Sequence, residues 1–147
     1  MKNFYIIIVF LIFGKIVAAP TVTVAPLSGV QDVNSTKSVV YFQVNFSEPV
    51  AGFTATDVVI YGSANPIKAF IKPKDLIIAE TQNFIVGVMG MNATGTVSIF
   101  IPSNSAASLS EGIGNVVSND ATVNYSIPFL AFSINVGNTI NYSINNY

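Results

Sequence analysis

Residues 38–46, SVVYFQVNF, alternate in a strict period of two. Val40, Phe42, Val44 and Phe46 fall on one side, and Val39, Tyr41, Gln43 and Asn45 on the other. An extended backbone turns successive side chains to opposite faces, so this pattern predicts a strand with one face in a core. The same period recurs in QNFIVGVM (82–89), which turns Phe84, Val86 and Val88 inward, and in GTVSIFI (95–101), with Val97, Ile99 and Ile101. NDATVNYSI (119–127) repeats it with Ala121, Val123, Tyr125 and Ile127. Shorter candidates are TVTVA (21–25), TDVVIY (56–61), IKAFI (67–71) and LIIAE (76–80). GSANP (62–66), KPKD (72–75) and GMNATG (90–95) supply turn residues between them. No stretch of ten or more residues carries a helical period, and SNSAASLSE (103–111) is expected to form one short helical turn. Seven to eight short strands with regular punctuation predict an all-β, antiparallel sandwich.

Composition narrows what such a sandwich can do. The chain has 147 residues and is 51% hydrophobic, enough for one domain with a sizeable core. It contains no Cys, His or Trp, and its six basic residues are all lysines. Without cysteine there is no disulfide framework, thiol nucleophile or cysteine zinc site. Without histidine the commonest general base and transition-metal ligand are missing. A carboxylate pair or a Ser–Lys pair could still be catalytic in principle, but for the carboxylates the seven acids fall mostly in turns and no tryptophan is present to stack on a sugar. The expectation is a non-catalytic protein. Nor is nucleic acid an expected partner, since the formal net charge is −1 and binding it requires a clustered positive surface.

The opening MKNFYIIIVFLIFGKIVAAP places an early lysine before an apolar run from Phe4 to Phe13, with Ala18 and Ala19 after it. A basic start, an apolar middle and a small-residue end are the order of a secretory signal peptide, here residues 1–18. The run is too short to span a bilayer, which takes about 20 residues. Pro20 disfavours a cut just before it. Loss of Lys2 and Lys15 would leave four lysines against seven acids, a net charge of about −3. The protein is therefore expected to be secreted, extracellular or at the cell surface, with no membrane span once the leader is removed.

VNFSEPVAGFTATDV (44–58) resembles the opening signature of a bacterial Ig-like repeat family found in large secreted and surface-attached proteins. The matching positions are Phe46, Ser47, Glu48, Pro49, Val50, Gly52, Phe53, Thr54 and Asp57. GTVSIFIP (95–102) is similar to the family's late strand. EGIGN (111–115) is similar to its D-x-x-G-N loop, with Glu111 where Asp is usual and Gly114 and Asn115 matching. ATVNYSI (121–127) fits its last strand. The resemblance covers residues 20–127 and implies an Ig-like antiparallel β-sandwich, without the cysteine pair and core tryptophan of immunoglobulins. It also implies a structural, spacer or adhesion role, with neighbouring Ig-like modules or an extracellular protein or glycan as partners. Lysine-rich IKPKD (71–75) departs from the family pattern, and one module is present where the family occurs in tandem. Residues 128–147 match nothing in it and are left unassigned, as a tail, an edge strand or the start of a further module.

Four motif residues are candidate Ca²⁺ ligands: Glu48, Asp57, Glu111 and Asn115. Their oxygens suit a hard cation, and the resemblance implies calcium at loop and inter-domain positions in some large adhesins. Ca²⁺ takes six to eight oxygens, however, and the dense acidic spacing of a calcium loop is missing. The competing reading makes Glu48 and Asp57 acceptors for backbone N–H groups at strand ends, and EGIGN a turn. A ligand-binding module using Ca²⁺ or carbohydrate at its loops is thus the alternative function. Five N-x-S/T sequons, at Asn34, Asn45, Asn92, Asn124 and Asn141, are candidate glycosylation sites. Asn34 and Asn92 fall in expected turns, and Asn45 and Asn124 on polar strand faces. Lys68, Lys72 and Lys74 form a small basic run expected at a solvated hairpin tip. Val39, Tyr41, Val59, Tyr61, Ile85, Met89 and Phe100 face away from the expected core, an apolar surface suited to a partner or to the tail.

Overall fold

The computed structural model describes residues 17–28, 34–35, 38–73 and 82–127. Two four-stranded sheets face each other across one apolar core. The first sheet runs β1-β3-β7-β6, made of β1 (Val22–Pro26), β3 (Val39–Phe46), β7 (Asn83–Met89) and β6 (Lys68–Pro73). The second runs β2-β10-β8-β5, made of β2 (Asn34–Ser35), β10 (Ala121–Tyr125), β8 (Gly95–Phe100) and β5 (Val59–Tyr61). All pairings in these sheets are antiparallel except β2 with β10. A small third sheet joins β4 (Val50–Ala51) to β9 (Ala107–Ser108).

The core is the alternation of the sequence folded inward. Val40, Phe42, Val44 and Phe46 from β3 are buried, as are Val86 and Val88 from β7 and Val22 and Val24 from β1. Val97, Ile99, Ala121, Val123 and Tyr125 meet them from the other sheet, and Ile101 follows just past β8. Each such aliphatic side chain contributes about 1.5–3 kcal/mol through burial. The register places Phe42 against Val86 and Val97 against Val123, so large inward residues sit side by side within each layer. Phe53 covers one end of the sandwich, edge-on to Phe46 and Phe84 with ring centroids 5.3 and 5.0 Å away.

Several expectations need correction. Residues 103–111 form no helix, because Ala107–Ser108 extend to pair with Val50–Ala51, and a single i→i+4 turn follows, closed by the Gly112 N–H on the Ser108 carbonyl at 2.8 Å. TDVVIY is a strand only from Val59, since Ala55–Asp57 coil into a single 3-10 turn. Asn34 lies in β2 and not in a turn. Ile127 does not continue the inward row: β10 stops at Tyr125 and Ile127 is exposed. The outward apolar residues divide between the two sheets, with Val39, Tyr41, Ile85 and Met89 on the first and Val59, Tyr61 and Phe100 on the second. Most of the leader (1–16), LIIAE, Lys74, Asn141 and the tail 128–147 lie outside the described residues.

Strand direction fixes the ends. β1 starts beside the end of β3, with Val22 opposite Phe46, whereas β10 finishes beside the start of β8, with Tyr125 opposite Gly95. Gly95 follows the loop out of β7, whose last residue Met89 pairs with the first residue of β3, Val39. The chain therefore enters the sandwich at one end and leaves it at the other.

Candidate functional site

The motif residues gather at the entry end. Phe46 closes the inward row of β3, and Ser47 then bonds back to the start of β1. Its N–H donates to the Thr21 carbonyl at 2.9 Å, and its hydroxyl accepts from the Thr21 N–H at 3.0 Å. Pro49 has no N–H to offer a ladder, but its carbonyl accepts from the Leu109 N–H at 3.0 Å. Gly52 takes φ +85°, a conformation that side chains rarely adopt, and this lets the chain bend away after β4.

Glu48 is half-buried and reaches the β9 segment. The hydroxyls of Ser108 and Ser110 donate to its Oε2 at 2.9 and 3.2 Å. Its bonds are thus to two serine hydroxyls, not to the backbone N–H expected of it. Asp57 stands where the competing reading put it: its Oδ2 accepts from the Thr54 N–H at 2.8 Å and from the Thr54 hydroxyl at 2.7 Å. This caps the 3-10 turn, at a place where the sequence pattern predicts the start of a strand.

Asn115 is 2% exposed. Its amide oxygen accepts from the Ala106 N–H at 2.8 Å, and its amide nitrogen donates to the carbonyls of Pro102 and Val116 at 2.9 and 2.7 Å. It braces the loop between β8 and β10 from inside. Glu111 sits exposed on the turn after β9, where its N–H lies 3.4 Å from the Ser108 hydroxyl. Among the described residues no three acidic side chains come together in a group that could hold a metal ion. Glu48 and Glu111 thus both meet the β9 segment at Ser108, Asp57 bonds within its own 3-10 turn, and Asn115 bonds inward to the loop backbone.

The sequons are sorted by exposure. Asn92 and Asn124 are exposed, while Asn45 is half-buried and its amide oxygen accepts from Gln43 at 3.0 Å. Asn124 lies in register with Asn34 on one side and Thr96 on the other. Lys68 and Lys72 are exposed along β6, on a strand and not at a hairpin tip.

Two further arrangements join residues far apart in the chain. Asn119 folds its side chain onto β1: the amide oxygen accepts from the Val24 N–H at 2.9 Å and the amide nitrogen donates to the Val24 carbonyl at 2.8 Å. The side chain imitates a neighbouring strand and ties the two sheets together. Tyr61 donates its hydroxyl to Asp120 at 2.7 Å. That hydrogen bond, with burial and the aspartate charge behind it, raises the phenol pKa above its ordinary 10.0. Period-two spacing carries no signal for either contact, because each joins residues distant in the chain.

No protein-family model matches the chain, and no curated protein gives a significant match. Among solved structures it is similar to the N-terminal part of the bacterial S-layer protein SbsC, at a TM-score of 0.44 and 15% identity. That similarity covers 79% of this chain and 26% of the other, so this chain spans about a quarter of its length.

Proposed function

We propose that this chain is a secreted or cell-surface module of the bacterial Ig-like kind, non-catalytic, that acts as a spacer or adhesion element. The observation that supports this reading best is the placement of the two exits at opposite ends of the sandwich. A module threaded in this way sets a fixed distance between whatever precedes and follows it. The engagement of the motif residues in internal bonds also supports it. Glu48 holds the β9 segment, Asp57 caps a turn and Asn115 braces a loop. Polar residues that stand out in the sequence thereby serve the rigidity a spacer needs. Its partners on this reading are neighbouring modules or an extracellular protein or glycan.

The test is fate in a bacterial host. The full chain carrying a C-terminal tag is expressed, the cells are fractionated and the N-terminus of the product is sequenced. The expected product lies in the medium or at the surface and begins at Ala19. Intact Met1 on a cytosolic product would overturn the reading. Melting in Ca²⁺ and in chelator separates the spacer from a calcium-dependent binder: the spacer melts at the same temperature in both.

A further inference from the structure

Charge is segregated among the described residues. Glu48 and Glu111 meet at β9, Asp57 sits in the 3-10 turn and Asp120 leads into β10 of the second sheet. Both lysines, Lys68 and Lys72, stand instead on β6 of the first sheet, and no carboxylate lies on β1, β3, β7 or β6. In a chain with more acids than lysines, the first sheet thus presents a positive face.

That face has a defined floor. Ala69 and Ile71 pack against the core, so Lys68, Phe70 and Lys72 turn outward together. The two lysines are four residues apart, about 13 Å along the strand, with Phe70 between them. The register sets Phe70 opposite Gly87, and Gly87 opposite Tyr41. Gly87 allows the Phe70 ring to lie down, because a Cβ there would collide with the ring's far atoms Cζ, Cε1 and Cε2. Phe70 is half-buried, as a ring resting on the sheet with one side to solvent should be. Tyr41 stands edge-on beyond it, at an interplanar angle of 86°. The arrangement is one flat ring, a second ring as a wall, and an exposed cation on each side. Glycine weakens a strand interior and often marks a place where another group approaches closely, so the flat ring is kept against a cost to the strand.

We propose that this face binds a sparsely charged acidic polysaccharide. One sugar lies on the Phe70 ring, and the carboxylates of the sugars on either side meet Lys68 and Lys72. The lysines are too far apart for one phosphate or carboxylate to bridge, so the ligand carries separate charges along an extended chain. Between those charges the floor is uncharged and the size of a single ring. The negative face of an aromatic ring attracts polarised C–H groups, which one side of a pyranose presents. Nucleic acid has a phosphate on every nucleotide and requires a basic groove along its backbone, which two lysines do not make. An anionic membrane is recognised by a cluster of about four or more basic residues, and a ring held down over Gly87 does not insert. The inference rests on the surface reading for access to such a polymer. A failure to bind would leave the location and N-terminus of the product unchanged, so the two readings fail separately.

The purified full chain is titrated with hyaluronate and with unsulfated chondroitin, both bearing a carboxylate on every second sugar, and with dextran as the neutral control. Saturable binding to the acidic polymers and none to dextran is expected, weakening as salt rises. Replacing both lysines, Lys68→Ala with Lys72→Ala, should weaken binding by about tenfold, and Phe70→Ala by about the same factor. The lysines are exposed, so their variant should melt with the unsubstituted chain and report on binding alone. Failure to bind either acidic polymer would overturn the inference, as would unchanged binding by the lysine variant or equal binding of dextran. Tighter binding to oligothymidylate would assign the face to single-stranded nucleic acid, and tighter binding to phosphatidylserine-containing vesicles would assign it to a membrane. Either result would overturn the inference as well.

Discussion

Glu48 and Asn115 carry the same kind of chemistry and differ in burial, and that difference decides what each contributes. Asn115 satisfies one buried N–H and two carbonyls at once. Removing it by Asn115→Ala leaves the Ala106 N–H and the Pro102 carbonyl without their partner. Stranding a buried polar group costs about 1–3 kcal/mol, so the variant should lose about 3 kcal/mol. Glu48 accepts two hydroxyl bonds at a half-buried position, and Ser108 and Ser110 keep each other as partners at 2.9 Å when it is gone. Glu48→Ala should therefore lose about 1–2 kcal/mol. Urea midpoints for the two variants measure both, and a Glu48 effect larger than that of Asn115 would contradict this assignment. Tyr61 adds a pH dependence of known sign. Its folded-state pKa is raised, chiefly by the hydrogen bond to Asp120, so the stabilisation is fully present below pH 10 and is lost as pH rises through the raised value. The stability gap between the unsubstituted chain and Tyr61→Phe should close above pH 10, as measured by urea unfolding across an alkaline pH series. Its size at neutral pH should stay below about 1 kcal/mol, because Tyr61 is 43% exposed.

At the scale of strands, what was legible in the sequence was what repeats locally. β3, β7, β8 and β10 are marked by alternation because each has one face in the core, and burial is the largest force acting on it. β9 is two residues long and was invisible, because nothing in residues 103–111 repeats and its pairing with β4 depends on chain far away. Asn115 stands out in the sequence for its motif, but whether its amide turns inward is settled by the loop around it. Gly87 is a further case. Glycine weakens a strand interior, and the alternation of 82–89 gives no reason for one there. The structure supplies the reason: the Phe70 ring on β6 lies over Gly87, where a Cβ would collide with it, and stands edge-on to Tyr41 with centroids 6.2 Å apart. Gly87→Ala should then cost about 1–3 kcal/mol through overpacking. Adding Phe70→Ala should remove most of that penalty, giving a coupling above about 1 kcal/mol in a double-mutant cycle. Independent effects of the two substitutions would mean that the ring does not set the glycine.

For the whole molecule, the placement of the exits determines how an applied pull is distributed. Tension along the chain pulls β1 out at the entry end and β10 out at the exit end. β1 is bonded along its length to β3, and β10 is bonded to β8. Both ladders run across the direction of pull, so their bonds are loaded together and must break together. Asn119 adds a bond pair between β1 and the segment leading into β10, across the two sheets. Pulled between its ends in a single-molecule force experiment, the domain should unfold in one cooperative event that releases about 350 Å of chain over residues 20–127. Asn119→Ala should lower the unfolding force without changing the length released, because it removes a tie and leaves the sheets intact. Forced unfolding follows the barrier to unfolding and not equilibrium stability. Glu48→Ala should therefore move the urea midpoint more than the force, since the bonds it loses lie at the β9 turn and outside the two loaded ladders. Stepwise release of short lengths would mean that the sheets yield one strand at a time, which a spacer under tension could not tolerate.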